Sequence, residues 1–330
     1  MDLPGILFVV RWLVRDTFRQ ALAARTFWLM LSVSALCIVF CLSVHIENGE
    51  SLRPPGEIEL FGGDKQPLTG PNPNPGHMTL GFGLARLALF RDAEAEVHLL
   101  QALLGLWAAG TVGMLIVLVW TAGFLPAFLD PASATVLLAK PVPRWLLLAG
   151  KCVGVVAFVG FQEVVFFGGT WFALGVRTGV WSRAYLLCIP LLMLHFATIY
   201  SFSVLLAVCT RSSVACIFGS IAFWFVCFGM NYGHHAIAAL PYLDPNVAPF
   251  STRTTAMANA GYWLLPKPGD QLILLDEALH GDADFDVLPP VFRIFRAKGN
   301  FQPRLSCMSS LLFAVLLLGL SAGQLRKTDY

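Results

Sequence analysis

The strongest constraint on this chain is a series of long apolar runs, separated by short turns or by proline-rich connections. An apolar run of about 20 residues spans about 30 Å as an α-helix, the thickness of a bilayer's hydrocarbon layer. Inside lipid the backbone must satisfy its own polar groups, and a helix does this within one segment. Six such runs are read at residues 27–46, 99–125, 146–175, 184–208, 214–230 and 305–323, the fifth being short. Composition closes off the soluble alternative. With 57% hydrophobic and 13% charged residues, 330 residues cannot supply a water-facing surface, since soluble domains carry about 25% charge. The expected fold is all-α: one polytopic transmembrane domain over residues 1–330.

Residues 3–25 read as an amphipathic helix lying along the membrane. Arg11, Arg15 and Arg19 repeat every four residues on one face, and Phe8, Trp12, Leu13 and Phe18 fill much of the rest. Such a helix suits an anionic leaflet. Lys and Arg near the span ends set the orientation. Arg11, Arg15, Arg19, Arg25, Lys140, Arg144, Lys151, Arg211, Arg326 and Lys327 share one side with both termini, which is thereby read as cytoplasmic. Loops 47–98 and 231–304 fall outside. The first carries the string PNPNPG and is read as turns with little regular structure. In the second, Ala236–Leu240 and Gln271–Leu275 are read as short helices resting on the outer leaflet. One cluster, Arg293, Arg296, Lys298 and Arg304, sits against the charge rule, and a seventh crossing within 233–275 is the rival topology.

The segment Phe124–Lys151 carries the most information. The second span is read as ending at Pro126, and a short helix begins at Asp130 or Ser133, either of which can cap free backbone N–H groups. It runs through Thr135, Leu137 and Leu138 to Lys140, and Pro141 and Pro143 stop it. Arg144 and Trp145 then anchor the start of the third span. A short helix fixed at both ends would pass a push from a cytoplasmic partner to two spans together; an ordinary helical hairpin loop has the same pattern.

The string LDPASATVLLAKPVPRWLLLAGK resembles the first cytoplasmic loop of permeases of the export-type, type-2 ABC transporter class. Asp130, Leu137, Leu138, Lys140, Pro141, Val142, Arg144, Gly150 and Lys151 match that loop, whereas Ala139 and Pro143 stand where serine is usual. The openings RDTFRQALAARTFWLML and the closing GQLRKTDY resemble that class at the two ends, and both long loops are unmatched. Within the class, the single-domain, six-span permeases such as that serving nitrous oxide reductase maturation are the similar ones. The resemblance implies a homodimer in the bacterial inner membrane, paired with a separate ATP-binding subunit. Residues 130–144 would be the coupling helix, with Asp130, Ser133, Thr135, Leu137, Leu138, Lys140, Pro141 and Arg144 facing the ATPase. ATP and Mg would then be held by the partner and no cofactor by this chain.

The remaining residues are compatible with that division of labour. There is no P-loop, no zinc-protease helix and no nucleophile elbow in the sequence, and a net charge of +2 gives no basis for nucleic-acid binding. The cysteines read as small apolar fillers. Gln162 and Glu163 in the third span and His195 in the fourth are polar groups inside the membrane. They are read either as a substrate- or proton-linked site, with His195 the partner of Glu163, or as helix–helix hydrogen bonds. Lys151 is near enough to the inner end to snorkel, His234–His235 form a weak metal pair, and the acids of 276–286 read as a solvated loop. An ion-coupled carrier using Glu163 and His195, or a scaffold binding an exported partner, are the other functions these residues allow.

Overall fold

A computed structural model of the chain describes residues 3–47, 76–89, 93–129, 142–244, 246, 250–279 and 287–327. The elbow residues Asp130–Pro141, the Pro-rich stretch 71–75 and most of the acidic run 276–286 lie outside them. The architecture is all-α, and six helical segments are long and apolar enough to cross a bilayer.

The chain opens with α1, Leu3–Ala23, and passes at once into the first span, α2, Arg25–Leu42. The two are separate because Ala24 is extended, with φ −76° and ψ 131°. The second span, Ala93–Leu129, is built from α3 (Ala93–Ala102), a π-helical stretch (Leu103–Gly113), α4 (Met114–Thr121) and α5 (Phe124–Leu129). Pro126 does not end this span. It falls in the first turn of α5, where a missing N–H breaks no helical bond. The third span, α6, Arg144–Thr178, stops at Gly179, which takes the left-handed conformation with φ 78°. A 3₁₀ turn, Arg183–Leu187, leads into the fourth span, α7, Cys188–Thr210. After a two-residue turn, Ser212 caps the fifth span, α8, Ser213–Leu243, by accepting the Ala215 N–H at 3.3 Å. The sixth span is α12, Pro303–Lys327.

Among the described residues between the fifth and sixth spans lie three shorter helices: α9 (Thr252–Leu264), α10 (Pro268–Leu279) and α11 (Pro290–Ala297). Two expectations are corrected here. The fifth span is not short; it runs on through Asn231, His234 and His235 for 31 residues. The segment around Gln271–Leu275 does not rest on a surface either. Pro268 to Ile273, Leu275, Asp276 and Leu279 are all buried, and Leu272, Ile273, Leu275 and Leu279 share a core with Ala102, Leu106, Phe167, Tyr185, Cys188 and Leu192. Helix α10 is thus an inserted plug, packed against residues of the second, third and fourth spans.

The first long loop also has more order than its composition suggests. Strands β1 (His45–Glu47), β2 (His77–Leu80) and β3 (Ala85–Ala88) form an antiparallel sheet in that order, with His45 opposite Thr79 and Met78 opposite Leu87. One end is fixed to the third span, where Arg177 Nε donates to the Val44 carbonyl at 3.2 Å. Val44, Met78, Leu89 and Val97 pack on Ala173 and Leu174 of α6.

Two cores result. One lies toward the chain termini and joins Leu13, Leu118, Leu148, Val155, Tyr200, Val204, Cys216 and Leu325. The other, around α10, lies toward the opposite end.

Candidate functional site

The far end of the bundle gathers a group of buried polar side chains around one carboxylate. Asp270, at the start of α10, is fully buried. Its Oδ1 accepts from Asn231 Nδ2 at 3.1 Å and lies 2.9 Å from His235 Nε2, and its Oδ2 accepts from the Tyr262 hydroxyl at 2.7 Å. Asn231 returns the contact, since its Oδ1 accepts the Asp270 backbone N–H at 3.0 Å. The neighbouring Gly269 is required by this approach, because a Cβ there would collide with Asn231 Oδ1. Burial pushes the Asp270 carboxyl up, but contact with His235, Ser306 and Tyr262 more than offsets this and holds it below the ordinary aspartate value. The Tyr262 phenol is raised in turn by burial and by Asp270.

Lys267 lies beside this group, equally buried. Its ammonium donates to Ser309 Oγ of α12 at 2.6 Å and sits 4.8 Å above the Tyr262 ring and 5.1 Å above that of Trp263. Burial pulls its pKa down to about 8. Further along α10, Asp276 pairs with Arg296 at 3.2 Å, and burial raises its carboxyl to about 6. Of the basic cluster that sits against the charge rule, Arg296 thus has a buried acidic partner. Arg296 and Arg293 face Asp276, and Lys298 lies 4.1 Å from the Tyr242 ring centre. Asp276 is therefore buried, not part of a solvated acidic loop.

The histidine neighbours separate. His235 serves Asp270, while His234 is 2.9 Å from Asn259 Oδ1 and stacks on Tyr262 at 4.0 Å. Among the described residues no group of three His, Cys, Asp or Glu side chains is arranged to hold a metal ion. All eight cysteines are free thiols.

The intramembrane residues singled out from the sequence do not converge. Gln162 Nε2 donates to Ser34 Oγ at 2.8 Å and to the Met30 carbonyl at 3.3 Å, so it ties α6 to α2. Glu163 Oε2 is buried with no hydrogen-bond partner among the described residues. His195 accepts from Trp224 Nε1 at 3.3 Å and meets the side chain of Gln271. No hydrogen bond or ion pair joins Glu163 to His195 among the described residues.

At the terminal end, the third span is clamped near its start. Helix α1 presses Leu13 and Thr17 into a groove over Gly150 and Gly154, where a Cβ would collide with Leu13 or come within 2.6 Å of Thr17 Oγ1. Lys151, between these glycines, does not snorkel. It is fully buried, donates to Gln20 Oε1 at 2.7 Å and lies 3.5 Å from Asp16. Arg144 Nη1 reaches the Leu325 carbonyl of α12 at 3.4 Å. Arg11, Arg15 and Arg19 stay exposed on the opposite face of α1. Of the eight elbow residues expected to face a partner, Arg144 alone is among those described.

The fold and these two sites define a multi-pass integral membrane protein with a clamped terminal end and a polar plug at the other. No protein-family model matches the chain, and no curated protein matches it at a significant level.

Proposed function

We propose that this chain is the transmembrane permease subunit of an ATP-driven ABC exporter, a homodimer in the bacterial inner membrane with both termini cytoplasmic. A separate subunit binds and hydrolyses ATP, and residues 130–144 couple it to the spans. The observation that carries this reading is the clamp around the start of α6. The elbow leaves α5 at Leu129 and rejoins the bundle at Arg144, which bonds to the last turn of α12. About two to three turns further on, Gly150, Lys151 and Gly154 are seated on α1. A displacement applied at the elbow therefore acts on α5, α6, α1 and α12 as one body, as a coupling element needs. The exposed arginines of α1 would suit the same end to an anionic surface.

The test is co-purification. The chain should bring down a P-loop ATPase from its native membrane, and the pair Lys140→Glu and Arg144→Glu should abolish that association while leaving the chain folded. If no ATPase accompanies the wild-type chain, and the altered elbow leaves transport unchanged, the reading fails.

A further inference from the structure

The aromatic side chains around Asp270 do more than pack. On their solvent side they form an open cleft of ≈ 280 Å³, with His234, Tyr262 and Phe295 as its floor and Trp263, Asn300 and Gln302 along its rim. Trp263 is 47% exposed, and both amides are exposed, whereas Tyr262 and Phe295 are buried. The floor is held in place from behind. Tyr262 is pinned through its hydroxyl to Asp270, His234 is stacked on Tyr262 and held by Asn259, and Trp263 is backed by the Lys267 ammonium. A preformed cleft spends little binding energy on ordering its own walls.

We propose that this cleft is a recognition site for one neutral sugar unit. Its chemistry excludes the other ligand classes in turn. None of the residues lining it is an acid, a lysine or an arginine, and the Lys267 ammonium lies behind the rings, donating to Ser309 Oγ, so a bound anion would have no cation to hydrogen-bond. An organic cation would seek the faces of Tyr262 and Trp263, but Lys267 already lies over both rings and repels it. A purely apolar ligand would strip water from the two amides and the imidazole without replacing their hydrogen bonds. A sugar ring satisfies both demands, with a C–H face for the exposed Trp263 ring and hydroxyls for Asn300 and Gln302. The volume, just under the usual small-molecule range of about 300–1,000 Å³, admits one ring and excludes an acyl chain or a peptide segment. The sugar can belong to a soluble saccharide or to a glycolipid headgroup, and the same atoms would recognise either.

The experiment uses the full chain in nanodiscs of phosphatidylethanolamine and phosphatidylglycerol, since glycosidic detergents would themselves compete. Saturation-transfer NMR is recorded with methyl glucoside, methyl mannoside, N-acetylglucosamine and maltose, and with glucosamine-6-phosphate as the charged control. A second arm adds a diglucosyl diacylglycerol to the bilayer and follows binding by competition. At least one neutral sugar should bind in the millimolar range in one of the arms, and which arm responds identifies the source. Trp263→Ala and the double variant Asn300→Ala/Gln302→Ala should each weaken binding about tenfold or more, with thermal unfolding unchanged for the double variant because both side chains are exposed. Absence of neutral-sugar binding in both arms overturns the proposal, as does tighter binding of the charged control, or binding that survives both variants. None of these readouts depends on an ATPase partner, so the outcome is separate from that of the co-purification.

Discussion

The two ends of this bundle are held by opposite kinds of chemistry. At the terminal end, α1 sits on α6 through a glycine seam, with one buried lysine answering a glutamine and a half-exposed aspartate. At the far end, α8, α9, α10 and α12 meet around Asp270, whose carboxylate is held by directed polar contacts. A glycine seam gains from close van der Waals approach and tolerates small sliding along its length. A buried carboxylate with several partners tolerates almost none, because each lost bond strands a polar atom away from water. The contrast assigns the ends different mechanical roles: a seam that can transmit motion, and a plug whose register is fixed.

The sharpest way to break this comparison is at the plug. Asp270→Ala should destabilise the folded chain by about 3–5 kcal/mol, as removal of one partner from a buried ionic group does. It strands Asn231, His235 and Tyr262 together. Thermal unfolding in nanodiscs should show a large fall in midpoint, with Asp270→Asn intermediate; an unchanged midpoint would mean that the plug is not fixed by this carboxylate. The seam should respond less. Gly154→Leu overfills the contact with Thr17 and should cost about 1–3 kcal/mol, released mainly by lifting α1 off its seat. Proteolysis within α1 should accelerate while the unfolding midpoint of the remaining bundle moves little. Protection of α1 equal to the wild type would remove the case for a close-packed seam.

The smallest effect belongs to Lys267 and has a defined sign. Its pKa is about 8 when folded, against an ordinary value of 10.5. Between those limits the unfolded chain holds the proton and the folded chain releases it, so stability should rise from pH 8 to pH 10.5. Lys267→Met should flatten that part of the pH profile. A slope of the opposite sign in the wild type would show that the ammonium is better satisfied in the plug than Ser309 and the two rings allow.

Much of the fold was legible because lipid imposes a length. The six spans appear where the apolar runs place them. The departures share one physical cause. Asn231, His234 and His235 look like the end of a span, since nothing within reach along the sequence satisfies them. Their partners, Asp270 and Asn259, come from 39 and 25 residues downstream. Helix α10 looks like a surface helix for the same reason: Asp270 and Asp276 flank its leucines, and their burial is explained by His235 and Arg296, which lie on other helices. Lys151 looked free to reach water until α1 covered it. The strands are three or four residues long, too short for their alternation to stand out. At the candidate site, the pairing of Trp263 with Asn300 and Gln302 could not be read at all, because periodicity speaks only of neighbours on one element.

The seat of α1 has a consequence for how the protein is made. Gln20 and Lys151 are 131 positions apart, so the first helix leaves the ribosome long before its binding surface exists. At about 5–20 residues per second, α1 waits on the order of ten seconds for Gly150 and Gly154 to be synthesised. During that interval its arginines and its apolar face must hold it at the lipid headgroups. The same amphipathic pattern that marks its final position thus also serves as a temporary mooring, from which the third span later collects it.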